Sequence, residues 1–120
     1  MREGLEAIPV FKKAIRLEPF APSKYYYHLG GAYLRTGQCD EAISACEEAV
    51  RRGSNTPAAY RSATVAYSIC GREEEARAAA AEVLRINPKF SLGSYAKTLP
   101  YKNKADIDLI LGALRKAGLK

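Results

Sequence analysis

The only histidine of this 120-residue chain, His28, follows three consecutive tyrosines, Tyr25, Tyr26 and Tyr27. An imidazole acts as a general acid or base when a pocket and a partner tune it, and no such partner is announced around His28. A groove or surface position is the expectation. The carboxylates Asp40, Glu41, Glu47, Glu48 and Glu73 to Glu75 fit helix caps and exposed helix faces rather than a catalytic pair. There is no phosphate-cradling G-x-x-x-x-G-K-[ST] loop. Cys39, Cys46 and Cys70 lack the paired C-x-x-C spacing of a zinc site and are expected as free thiols. Cys46 faces the core by periodicity, and Cys39 lies in a turn as the most reactive of the three. No catalytic, cofactor or metal site is predicted, and the chain is not expected to be an enzyme.

Recognition chemistry is better represented. Tyr25 and Tyr27, interleaved with Lys24 and Arg35, could hold a peptide by stacking and hydrogen bonding. For Tyr27, packing between neighbouring helices is an equal alternative; Tyr26 and Tyr33 are assigned to packing. The net charge is +6, of which residues 91–120 carry +4, residues 1–22 and 57–90 carry +1 each, and residues 23–56 none. Lys97, Lys102, Lys104, Arg115, Lys116 and Lys120 form that basic tail. A solvated face is the preferred reading over an anionic contact.

These residues sit on a repeating framework. Tyr26, Tyr33, Gly37 and Ala42 recur 34 residues later as Tyr60, Tyr67, Gly71 and Ala76, the mark of a helical repeat. Ser23 is expected to cap a helix carrying Tyr26, Leu29, Gly30 and Tyr33, which Gly37 stops. Asp40 is expected to cap the next, buried through Ala42, Ile43, Cys46, Ala49 and Val50 and closed by a left-handed Gly53. Thr56-Pro57 opens a third helix, and the glutamates at 73–75 load the first turn of a fourth, packed through Ala76, Ala80, Val83 and Leu84. Beyond Pro88, a short helix capped by Ser91 should end at Pro100. Asn103 and Asp106 should cap a last helix with Ile107, Ile110, Leu111 and Leu114 on one face. Upstream, Ala7, Phe11 and Ala14 predict a helix over residues 6–17, started late or kinked by Pro9. Its expected first-helix partner is missing, so Ile8, Phe11 and Ile15 should lie bare as an oligomer face.

The spacing Tyr-x2-Leu-Gly-x2-Tyr, then Gly, Ala and Pro, resembles the tetratricopeptide repeat, over residues 6–88. The resemblance implies an all-α, right-handed superhelix of α-α hairpins. Residues 1–120 form one domain: a truncated repeat (6–22), two full repeats (23–56 and 57–90) and a short helix plus capping helix (91–120). Ser54 departs from the proline expected there, and Ala63-Thr64 from Leu-Gly. Carried over residue by residue, the concave face holds Lys24, Tyr27, His28, Leu34, Arg35, Arg61, Val65 and Ser68, with Gly31, Ala58 and Ile69 beside them. Tyr27 and Gly31 stand where a carboxylate clamp would want lysine and asparagine, so that specificity is rejected. The tail from Phe90 to Lys120, with Leu-Pro-Tyr-Lys and Gly-x-Leu-Arg-Lys-Ala-Gly-Leu, is similar to tails of tetratricopeptide regions in bacterial class III adenylate or guanylate cyclase proteins. That implies a regulatory segment following an upstream catalytic domain, which would explain the missing half repeat.

The leading expectation is therefore an interaction scaffold that binds a protein, peptide or partner helix in its groove. A homodimerisation module for a cyclase, acting through the face of Ile8, Phe11 and Ile15, is the alternative, and a helical-repeat nucleic-acid binder is the weakest reading. No apolar run approaches the ~18 to 20 residues of a membrane span and no signal sequence is evident, so the cytoplasm is the expected location.

Overall fold

The computed structural model describes residues 2–53, 55–99 and 104–120, with the side chains of residues 2–5 outside the description. Seven helices appear among these residues: α1 Arg2–Leu17, α2 Ser23–Arg35, α3 Cys39–Arg52, α4 Pro57–Ile69, α5 Glu73–Ile86, α6 Leu92–Ala96 and α7 Lys104–Lys116. Neighbours in sequence pack as antiparallel hairpins, α2 against α3 and α4 against α5. Contacts of α2 with α4 and of α3 with α4 stack one hairpin on the next, and α7 lies against α4. The result is a right-handed helical-repeat stack. No described helix is long and apolar enough to cross a membrane.

Small residues allow the close approach. Ala42, Ala49, Ala59 and Ala66 are fully buried, as is Val83. Gly30 faces α3 so tightly that a methyl group in its place would meet Cys46 Sγ at 2.5 Å and the Ala42 carbonyl at 3.2 Å. One repeat later Thr64 stands at the matching position; its buried hydroxyl donates to the Tyr60 carbonyl at 2.7 Å, which satisfies it within its own helix. Gly37 and Gly71 turn the two hairpins at φ of 75° and 80°, conformations that side chains disfavour.

Several local expectations are corrected. Ser23 is the first residue of α2, after Pro22, and its hydroxyl donates to the Ala49 carbonyl at 2.6 Å, tying the start of α2 to the end of α3. Asp40 lies in the first turn of α3, while Gln38 takes the cap position without a side-chain bond. Gly53 has φ of −139° and is not left-handed. It is needed for space, since an added methyl would lie 2.8 Å from Thr56 Oγ1 and 3.0 Å from the Ser23 side chain. Leu84 is 39% exposed and lies at the edge of the core rather than within it. Ser91 does cap α6, accepting from the Ser94 amide at 3.1 Å. Pro100, Lys102, Asn103 and Ser54 lie outside the described residues, as does most of the Leu-Pro-Tyr-Lys stretch.

The expected free thiols are also corrected: Cys39 and Cys70 form a disulfide, Cα to Cα 5.9 Å, and only Cys46 is free and buried. The bond straps the first residue of α3 to the end of α4, joining the turn of one hairpin to the turn of the next. At the same interface the Tyr67 hydroxyl donates to Glu47 at 2.5 Å.

The predicted bare face of α1 is corrected as well. α1 runs unbroken through Pro9, and Ile8, Phe11 and Ile15 are half-buried against the cluster of Leu29, Tyr33, Ala42 and Ala45. α2 supplies the cover that a missing helix was expected to give. The exposed large apolar residues at this end are Val10, Leu17 and Phe20.

At the other end α7 completes the core. Leu114 and Leu119 are buried beside Val83 and Leu92, and the Leu92 amide donates to the Lys120 carbonyl at 2.9 Å.

Candidate functional site

A groove of about 630 Å³ runs along α2 and α4 and is closed by α1 on one side and by α6 and α7 on the other. Six of the eight predicted groove residues line it: Tyr27, His28, Leu34, Arg35, Arg61 and Val65. Gly31, Ala58 and Ile69 line it too. The helical period explains this, because positions three and four apart on α2 and α4 share the face turned away from α3 and α5.

Lys24 and Ser68 are not in the lining. Lys24 is exposed, its ammonium 5.9 Å from the Tyr25 ring, and Ser68 is turned inward and buried. Phe11, predicted for an oligomer face, lines the groove instead. Its ring stacks on His28 with centroids 5.7 Å apart and planes 15° apart, and Tyr27 tilts against His28 at 4.8 Å. His28 stays exposed on one side, and partial desolvation lowers its pKa below the usual histidine value, helped by the positive charges of Lys24 and Arg35. At neutral pH His28 is therefore an uncharged aromatic member of this wall.

The opposite wall was missed. Tyr95 and Leu99 from the α6 region and Leu109 and Ile110 from α7 face the groove, with Asp106 as the single carboxylate of the lining among the described residues. Their apolar periodicity was visible, but nothing in it told that these segments fold back across α4. Arg61 lies where the two walls meet. Its guanidinium carbon sits 4.7 Å from the Tyr95 ring centroid, within cation–π range, while its Nε is shut off from solvent without a hydrogen-bond partner.

Charge is segregated between the helix layers. α2 and α4 carry Lys24, Arg35 and Arg61 and no carboxylate. The outer helices hold the acids, with Asp40, Glu41, Glu47 and Glu48 on α3 and Glu73, Glu74, Glu75 and Glu82 on α5. Several are engaged locally, as where Glu48 accepts from Arg51 and Arg52, which hold its carboxyl below the usual range. Of the basic tail, Lys116 lies 3.6 Å from Glu73. Among the described residues no cluster of histidine, cysteine or carboxylates could hold a metal ion.

The hairpin stack and its groove define a helical-repeat interaction fold, and the tetratricopeptide repeat family model matches residues 2–57 and again 27–89. The chain belongs to that family, whose repeats generally mediate protein–protein interaction and typically form non-catalytic scaffolds. Among solved structures it is similar to two crystal structures of MamA, at 26% identity with TM-scores of 0.68 and 0.67. Those matches cover 95% of this chain but only 66% and 62% of the MamA chains, so it spans under two-thirds of their length. No curated protein sequence matches it.

Proposed function

We propose that this chain is a protein-interaction scaffold whose groove along α2 and α4 receives a peptide or a helix of a partner, as the regulatory part of a larger signalling protein. The observation that carries this is the convergence of Tyr27, His28, Arg35, Arg61 and Val65 on one concavity that also gathers apolar residues from α1 and α7. Tyr27→Ala and Arg61→Glu should each weaken binding of a captured partner while helicity stays as in the parent and melting falls only by the loss of one ring contact, with His28 or Tyr95. Unaltered affinity in both variants would refute the groove.

The link to an adenylate or guanylate cyclase rests on the resemblance of the tail, and reading the sequence encoded before Met1 tests it. Self-association is a second reading, favoured by the exposure of Val10, Leu17 and Phe20 at the α1 end. A monomer by light scattering at high concentration, with and without the upstream region, would remove it. For location we retain the cytoplasm, where Cys39 and Cys70 would rest as two thiols; in an oxidising compartment they rest as the bond. Trapping thiols with an alkylating agent in intact cells distinguishes these.

A further inference from the structure

We propose that Cys39 and Cys70 are a reversible redox switch, closed by exchange with a small-molecule disulfide and opened by the corresponding thiol, which locks or frees the hairpin of α4 and α5 against that of α2 and α3. Its consequence for binding rests on the groove reading; the switch itself does not.

The stack is built to survive the bond's absence. Each turn corner is shaped by backbone alone: the Gln38 amide donates to the Tyr33 carbonyl at 2.9 Å, and the Arg72 amide repeats this on the Tyr67 carbonyl at 2.8 Å. Gln38 Nε2 also donates to Thr36 Oγ1 at 2.7 Å. Between the hairpins, Ala63 and Ala66 are buried with Ile43 and Cys46, and the Tyr67 hydroxyl holds Glu47. A seam held in these ways keeps the two cysteines near their Cα separation of 5.9 Å after the bond is cut, so it can re-form without refolding.

Access is selective. Cys39 and Cys70 are half-buried at the corners, within reach of a small thiol or disulfide. Cys46 cannot compete, because it is 1% exposed and burial pushes its thiol up to about 12, so it stays protonated and does not attack. In closing, one thiolate of the pair attacks a sulfur of the small disulfide, breaks its S–S bond and releases one small thiol. The other thiolate attacks the protein sulfur of the resulting mixed disulfide, forms the Cys39–Cys70 bond and releases the second small thiol. Two electrons pass from the cysteines to the small disulfide, and the two protons end on the released thiols.

The bond lies at one end of the groove. Ile69 precedes Cys70, and Leu34 and Arg35 end α2 shortly before Cys39; all three line the concavity. Closed, the bridge fixes this corner between α2 and α4. Open, the corner is held by the packing and hydrogen bonds alone.

The test equilibrates the folded protein, without denaturant, in buffers of glutathione and glutathione disulfide, and counts thiols by alkylation and mass. Two thiols should interconvert with the bond from either direction, Cys46 should stay unalkylated until urea is added, and helicity by circular dichroism should match in both states. Reduction should speed amide hydrogen exchange in residues 34–39 and 66–72 on the order of tenfold, reversibly, and leave α7 unchanged. The double variant Cys39→Ser with Cys70→Ser should fold, exchange like the reduced protein and ignore the buffer. A bond that yields to thiol only in urea, a reduced protein or double variant that loses its helices, or exchange that is the same in both states would overturn the switch. These readouts need no bound partner, so the switch stands or falls apart from the groove reading.

Discussion

Gly30 and Gly31 are adjacent in α2 and should respond in opposite ways to the same substitution. Alanine is the better helix former by about 1 kcal/mol in either place. At Gly31 nothing lies within 4 Å of the added methyl, so the propensity gain should appear as added stability. At Gly30 the methyl would stand 2.5 Å from Cys46 Sγ and 3.2 Å from the Ala42 carbonyl, both held in α3 with almost no exposure. Relief requires Cys46 to leave its rotamer or α3 to back away from α2, an overpacking cost of about 1 to 3 kcal/mol. Because propensity cancels in the comparison, that cost is the expected gap between Gly30→Ala and Gly31→Ala. It corresponds to roughly 4 to 12 °C in melting temperature for a domain of this size. Thermal and urea melts followed by circular dichroism measure it. Adding Cys46→Ala to Gly30→Ala should recover most of the loss, since the new methyl then occupies the space that sulfur vacates. If Gly30→Ala proves as stable as Gly31→Ala, close approach is not the reason for glycine here.

Other outcomes follow from the thiols and from His28. Reducing the Cys39–Cys70 bond, or replacing Cys70 with serine, should lower unfolding stability by about 2 to 4 kcal/mol, read from urea midpoints with and without reductant. Burial and the nearby Glu47 push the Cys46 thiol up to about 12, so the folded state keeps a proton that the unfolded chain releases near 9. Stability from this group is full below about pH 9 and lost as pH rises towards 12, and Cys46→Ala should flatten that part of the pH–stability curve. The His28 ring should titrate below its ordinary value of 6.5 by NMR. Lys24→Gln should move that midpoint back upward. Since the folded pKa is depressed, the contribution of His28 to stability is present above 6.5 and is lost as pH falls through the lowered value.

Much of the stack was legible because a repeat states its pattern twice. Tyr26, Tyr33, Gly37 and Ala42 with their copies marked where α2 to α5 begin, turn and pack, and the resemblance to the tetratricopeptide repeat carried Tyr27, Arg35, Arg61 and Val65 onto one face. Caps were read less well. Ser23 and Asp40 are good capping residues by type, but each lies just inside its helix, and Ser23 found a better acceptor across the stack at Ala49. The disulfide was not legible, because residues 31 apart meet only when two turn corners coincide in three dimensions. The second wall of the groove was hidden for a related reason. Tyr95, Leu109 and Ile110 lie beyond the repeat, where periodicity tells which face of a segment is apolar but not against what it docks.

Stacked helical hairpins are springs, and the Cys39–Cys70 strap changes what this one does under load. A pull applied at the two ends of the chain would pass through the sulfur bridge and bypass the residues between it, which include most of α3 and all of α4. With 31 residues of sequence separation, on the order of 100 Å of contour length stays stowed while the bond holds. Reduction releases that length. The difference shows once force unfolds α3 and α4, when the reduced chain extends by that length and the oxidised one does not, which force spectroscopy reads as a longer unfolding step.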